Sequence, residues 1–295
     1  MTHQLATDHW PLATASPLII AHRGASGLAP ENTMAAFRLA VAMGADGFEL
    51  DVQLSADGQP VVIHDARLNR TTDRMGAVAA LTAAELAACD AGEWFARRLA
   101  RRPRIRAMAA SVAKLTKDDG PQFAGEAVPA LGDVLALAAA AQVGRVYVEL
   151  KGNRRRDKQP LLDAVLKCIK QYKMERAATL LSFDHEIIRR AKAQARRLRT
   201  AATFAIPGRG ELTARSIISA VERAGADEAA LHYGLATRRT VATLRARGIS
   251  IAVWTVNSKL VMRRMMALGV DAIMTNYPNR LADVLAAHAG ERDGE

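Results

Sequence analysis

Two rhythms alternate along the chain. Short apolar runs at residues 18–21, 48–54, 146–150, 179–183, 200–205, 228–231, 249–256 and 272–274 have the length and spacing of strands. Between them, apolar residues recur every three or four positions, as on one face of a helix. Met34, Phe37 and Val41 come first, then stretches 131–141, 160–173, 185–197, 212–224, 238–247, 260–268 and 281–288. Asn32 or Thr33 can cap the first helix, and Gly44 can end it. A further run, 61–63, follows the turn signal Ala56-Asp57-Gly58 and predicts a hairpin-like return against strand 48–54. Regular alternation of this kind predicts a parallel sheet with helical crossovers. Eight such units in 295 residues fit an α/β fold, the (β/α)8 barrel, which takes roughly 250 residues, with an insertion after the second strand. No motif repeats at 20- to 50-residue spacing, which argues against a solenoid.

The second strand carries the first chemical signal. Glu49 and Asp51 are two apart and project from one face with Gln53; Phe48, Leu50, Val52 and Leu54 take the other. The stretch 146–151 repeats the arrangement, with Val146, Val148 and Leu150 on one face and Glu149 and Lys151 opposite. Three carboxylates at strand ends suit a hard divalent cation, Mg²⁺ or Ca²⁺, or else a salt-bridge network with Arg23 and Lys151. His22 and His64 each end an apolar run and precede a charged residue. An imidazole titrating near neutrality suits proton transfer, whereas a lone histidine at a strand end is more often structural. Arg23 and Lys151 are candidate phosphate ligands, Arg as a fork and Lys as a point charge.

The ordered string His22-Arg23-Gly24, Pro30-Glu31-Asn32-Thr33, Phe37, Gly44-Ala45-Asp46, Glu49-x-Asp51-Val52, Asp57-Gly58, His64-Asp65, Leu68 and Arg70-Thr71-Thr72 resembles the glycerophosphodiester phosphodiesterases. These are TIM-barrel enzymes related to the phosphoinositide-specific phospholipases C. Ser182-Phe183-Asp184, Val253-Trp254-Thr255-Val256-Asn257 and Thr275-Asn276-Tyr277-Pro278 extend the match over most of the chain. The resemblance implies metal-dependent hydrolysis of glycerophosphodiesters to glycerol 3-phosphate and an alcohol. It implies Glu49, Asp51 and Glu149 as metal ligands and His22 and His64 as the acid/base pair, with neither role assigned to either histidine. Arg23, Lys151 and Glu31 then serve the substrate, and Trp254 either packs on the glycerol moiety or is a core residue.

Composition narrows the setting. Residues 1–16 read as a loose lead-in and 17–290 as the barrel, with the insertion at about 59–128. No apolar run approaches a membrane span, and the first seventeen residues, with His3, Asp8 and His9, lack a signal-peptide core; both favour the cytoplasm. Cys89 and Cys168 read as free thiols. The net charge of +11 is concentrated in segment 97–121, where 105–115 reads as a short amphipathic helix. The segment reads as a surface elaboration, the sharper alternative being a flap that selects the leaving alcohol or makes weak contact with an anionic membrane surface. Aromatic residues are only 4% of the chain, so no dedicated nucleic-acid site is expected. Two other functions stay open: a lysophospholipid-directed phosphodiesterase, and a catalytically silent barrel that binds anionic lipid or nucleic acid through the insertion. The oligomeric state is not legible.

Overall fold

The computed structural model describes residues 16–101, 107, 123–151, 157–208 and 212–292. Most of the basic segment 97–121, with the helix expected at 105–115, lies outside the described residues. Among the described residues, nine strands form one sheet: β1 (Leu18–His22), β2 (Gly47–Leu54), β3 (Pro60–Val62), β4 (Arg145–Leu150), β5 (Ala178–Ser182), β6 (Arg199–Phe204), β7 (Glu228–His232), β8 (Ser250–Trp254) and β9 (Ala272–Thr275). β1 pairs in parallel with both β2 and β9, which closes the sheet into a barrel; β3 alone is antiparallel, on the flank of β2. The fold is the (β/α)8 barrel expected from the alternation. Among the described residues, no helix is long and apolar enough to cross a membrane.

The helices are α1 (Met34–Ala42), α2 (Ala83–Ala87), α3 (Glu93–Ala100), α4 (Leu131–Ala140), α5 (Gln159–Gln171), α6 (His185–Gln194), α7 (Ala214–Ala224), α8 (Arg238–Arg245), α9 (Lys259–Leu268) and α10 (Pro278–Arg292). Phe48, Leu50 and Val52 of β2 and Val146, Val148 and Leu150 of β4 point outward into the main core, against Phe37 of α1 and Leu135 of α4. The alternate residues point inward. Bulky Ile20, Tyr147, Leu181 and Met274 fill the barrel centre against small Ala201, Ala230, Ala252 and Ala272. Matching large against small around the ring packs the interior without a pore.

Below this layer, at the strands' N-terminal ends, lies a polar floor. Arg145 donates to Thr179 Oγ1 at 3.2 Å, and Arg199 reaches Glu228 and Ser250, each at 3.4 Å. Burial, against the pull of Arg199 and Arg145, pushes the Glu228 carboxyl above its ordinary range.

Several boundaries differ from the sequence pattern. α6 ends at Gln194 rather than 197, because Ala195 leaves helical backbone (φ −132°, ψ 69°) to deliver buried Leu198 and β6. α10 starts at Pro278 rather than 281, and proline suits a first helical position since it has no N–H to leave unpaired. β8 stops at Trp254 rather than 256, where the chain turns Thr255 toward His22. α2 and α3, in the segment after β3, were not expected from periodicity. α2 is held by a reciprocal cap: Thr82 accepts from the Glu85 N–H while the Glu85 carboxylate accepts from the Thr82 N–H. Cys89 and Cys168 are free thiols, as expected.

The flanks of the basic segment meet. The Ala91 N–H donates to Glu126 O at 2.6 Å and that of Gly125 to Asp90 Oδ2 at 2.9 Å, while Phe95 and Phe123 pack edge to face at 5.6 Å. A side chain at Gly92 would run into the Phe123 carbonyl, so only glycine permits this approach.

Candidate active site

Strand register gathers the carboxylates. His22 is in register with Glu49, and Asp51 with Glu149, at the C-terminal ends of β1, β2 and β4. All three carboxylates are buried, and each offers one oxygen within 4.8 Å of the others. Burial, then Asp51 and Glu149, push Glu49 well above the ordinary carboxylate range. Burial also works against ionising Asp51, but Arg23 and then Lys151 outweigh it and hold that carboxyl well below its usual value. Glu149 is raised by burial and by Asp51.

The basic partners lie among these acids. Arg23 Nε is 3.0 Å from Asp51 and its Nη1 2.7 Å from Glu31; Lys151 Nζ is 3.1 Å from Asp51 and 2.6 Å from Glu149. Arg23 and Gly24 both have positive φ (57° and 75°), and Gly24 abuts Ala36 so closely that a Cβ would lie 2.6 Å from its carbonyl carbon. This tight turn aims the Arg23 N–H at Glu49 Oε2, 3.0 Å away, and brings its guanidinium back over the mouth. Glu31, Glu49, Asp51, Asp65 and Glu149 oppose Arg23, Arg70 and Lys151. With the histidines neutral and every acid ionised, this leaves two unbalanced negative charges.

The two histidines have different partners. Asn276 Oδ1 lies 2.8 Å from His22 Nδ1, so that nitrogen carries the proton and Nε2 is left as acceptor, 3.4 Å from Thr255 Oγ1 and 3.9 Å from Glu49. Burial and then Arg23 lower the His22 pKa to about 4. His64 Nδ1 instead faces the Asp65 carboxylate at 2.6 Å. Burial nevertheless lowers His64, against the pull of Asp51 and Asp65.

The opposite side of the mouth is aromatic. Trp254 is half-buried, anchors its Nε1–H on Ala230 O at 3.0 Å, and meets Phe183 and His232 edge to face at 5.5 and 5.4 Å. It is therefore partly a core residue and partly a wall of the mouth. Lys151 Nζ lies 5.8 Å from the Phe183 ring centre, which links the two sides.

The fold thus brings together all nine residues singled out in the sequence: His22, Arg23, Glu31, Glu49, Asp51, His64, Glu149, Lys151 and Trp254. Sequence reasoning missed Asn32. Thr33 caps α1, whereas Asn32 is buried at φ 60° and exchanges hydrogen bonds with Asp51, side chain to side chain at 2.8 Å and backbone to side chain at 3.3 Å. Asp65, Arg70 and Asn276 stood in the matched motifs without a role; the structure gives each a partner in the site.

Sites at the carboxyl ends of barrel strands are enzyme sites, and here clustered carboxylates lie beside histidines, the residue types that cation binding and proton transfer use. The model of the glycerophosphoryl diester phosphodiesterase family matches residues 22–280. The chain belongs to that family, as its motifs implied, and is an enzyme of the phosphoric diester hydrolase class. It is 34% identical over 271 residues to the glycerophosphodiester phosphodiesterase of Caldanaerobacter subterraneus subsp. tengcongensis, covering 91% of this chain and 97% of that one. The crystal structure of the Agrobacterium tumefaciens glycerophosphodiester phosphodiesterase superposes with a TM-score of 0.71 at 29% identity, covering 90% of this chain and 99% of that one. An Oleispira antarctica phosphodiesterase solved with its product sn-glycerol-3-phosphate gives 0.76 at 25% identity, covering 92% and 97%.

Proposed function

We propose that the protein hydrolyses glycerophosphodiesters to glycerol 3-phosphate and an alcohol, using a divalent cation held by Glu49, Asp51 and Glu149 and proton transfer by His22 and His64. The observation that carries the reading is the buried three-carboxylate cluster flanked by two histidines, each with its Nδ1 engaged. The cluster fits a hard dication. Its ligands are all oxygens, the mouth around it has two more carboxylates than Arg and Lys cations, and burial together with its acidic neighbours pushes Glu49 up, a pressure an added cation would relieve. When bound, such an ion supplies positive charge for the phosphate oxygens.

The chain's own residues divide the remaining work. His22, neutral at pH 7 with Nε2 unprotonated, suits the base that takes a proton from the attacking hydroxyl. His64, whose ring is backed by a carboxylate, suits the acid that protonates the leaving alkoxide. Arg23 and Lys151 border the cluster and are positioned to share phosphate charge. Trp254 and Phe183 present apolar surface to the carbon skeleton of the substrate.

The test is release of glycerol 3-phosphate from glycerophosphocholine and glycerophosphoethanolamine with Mg²⁺, with Ca²⁺ and with EDTA. Metal-dependent release supports the reading and ranks the ions; a folded protein inactive under every condition would refute it.

A further inference from the structure

Arg70 stands in the short 3-10 turn Leu68–Arg70 that follows β3, and nothing in the proposed chemistry uses it. Its position is nonetheless fixed. Leu68 is fully buried in the small core with Val61, Ile63, Val78 and Leu86, Thr71 is buried, and Thr72 Oγ1 donates to Leu68 O at 3.0 Å. From this anchored turn the guanidinium grips two carboxylates with both edges of its fork. Nε donates to Asp65 Oδ2 at 2.6 Å and Nη2 to Asp65 Oδ1 at 3.3 Å; Nη1 donates to Glu31 Oε2 at 2.9 Å and Nη2 to Glu31 Oε1 at 2.8 Å. Each carboxylate holds a different part of the site. Asp65 accepts from His64 Nδ1 at 2.6 Å, and Glu31 accepts from Arg23 Nη1 at 2.7 Å.

We propose that Arg70 is a positioning residue for the phosphodiesterase reaction, setting the His64 ring through Asp65 and the Arg23 guanidinium through Glu31. The proposal rests on the reading above, in which His64 transfers a proton and Arg23 meets phosphate. One planar cation joins the loop after β1 to the loop after β3, so the proton-transfer group and the phosphate group share a single brace. Lysine cannot replace it, because a point charge cannot make two parallel forks at once. Arg70 also neutralises Asp65, whose pKa is lowered to about 2 by Arg70 and His64 against the opposing effect of burial. Asp65 therefore steadies a protonated His64 less than a lone carboxylate would. The other charges acting on His64 are Asp51, Arg23 and Lys151; none of these residues is substituted in the variants below, and Glu31→Gln reports separately what releasing Arg23 does to the His64 limb.

The experiment compares Arg70→Ala, Arg70→Lys, Asp65→Asn and Glu31→Gln with His64→Ala and with Arg74→Ala, a change at an exposed arginine of the same segment. Steady-state kinetics on glycerophosphocholine with Mg²⁺ are run across pH, and folding is followed by circular dichroism. Arg70→Ala is expected to lower kcat by ~10–100-fold, with partial recovery in millimolar guanidinium and only partial activity in Arg70→Lys. The limb of the kcat–pH profile set by His64 moves up in pH in Arg70→Ala, where Asp65 is left bare, and down in Asp65→Asn. Glu31→Gln raises KM more than it lowers kcat. Arg74→Ala behaves as wild type. A folded Arg70→Ala with unchanged kcat, KM and pH profile overturns the proposal, as does a loss of kcat with both pH limbs unmoved and no rescue. If Arg70→Ala fails to fold, Arg70→Lys decides by the same criteria. Full activity in His64→Ala overturns the underlying reading instead, whatever Arg70 does.

Discussion

The two ends of the barrel both bury charge, and they handle it differently. At the floor, Glu228 and Asp271 lie among Arg199 and Arg145, so the charges are close to balanced; Thr179, Ser250 and Tyr147 add polar partners. At the mouth, five carboxylates face three cations, and the least satisfied of them, Glu49, is pushed up in pKa. Burial raises a carboxyl at each end, Glu228 at the floor and Glu49 at the mouth, but among the described residues only at the mouth do three carboxylates converge within 4.8 Å of one another. Buried charge alone does not mark a functional site; the convergence of several like charges at the strands' carboxyl ends is the sharper signal.

Substitutions at the two ends sharpen this contrast. The largest effect is expected from His22→Ala and His64→Ala, each lowering kcat by ~10²–10⁴-fold in an assay of glycerol 3-phosphate release, with the circular dichroism spectrum retained. Asp51→Asn, which keeps the shape of the side chain but removes a charge from the cluster, should cost ~10²–10³-fold in the same assay. At the floor the readout changes from rate to stability. Glu228→Ala should leave kcat of the folded protein unchanged and lower unfolding stability by about 2 kcal/mol in a urea titration, since it empties a buried, hydrogen-bonded position. A fall in kcat there, at unchanged stability, would break the distinction.

The smallest effect is in pH dependence, and its sign differs between the ends. Asp65 titrates at about 2 when folded against 3.8 for the free group, so it adds stability above about pH 4 that is lost as pH falls toward 2. Asp65→Asn should flatten the acid side of a melting-temperature profile by a small amount, since the carboxylate is partly screened. Glu228 titrates above its free value of 4.5, so the stability it adds is present below that value and is lost as pH rises through the folded one. Glu228→Gln should flatten the other side.

The sequence was most informative where one strand's period did the work. Glu49 and Asp51 share a face because they are two apart, and Glu149 repeats the rule on β4. His22 and His64 were visible because each ends an apolar run. What stayed hidden acts across loops. Asn276 reaches His22 over 254 positions and Arg70 reaches Glu31 over 39, and no periodicity connects residues so far apart. β7 read as a weak strand because Ala229 and Ala230 face opposite ways with the same small side chain; the small residue is needed inside, where Tyr147 and Leu181 take up the space. α2 was missed because five residues are too few for a periodic pattern, and its cap was the only signal.

The contact between residues 90–95 and 123–126 has a further consequence. The described residues on either side of positions 102–122 lie against each other, so the two ends of that stretch are held at nearly one point. Loop-closure entropy grows only logarithmically with length, so lengthening or trimming such a stretch costs little once its ends are clamped. With its ends fixed by contacts of their own, a change of length between them need not shift the register of β3 or β4.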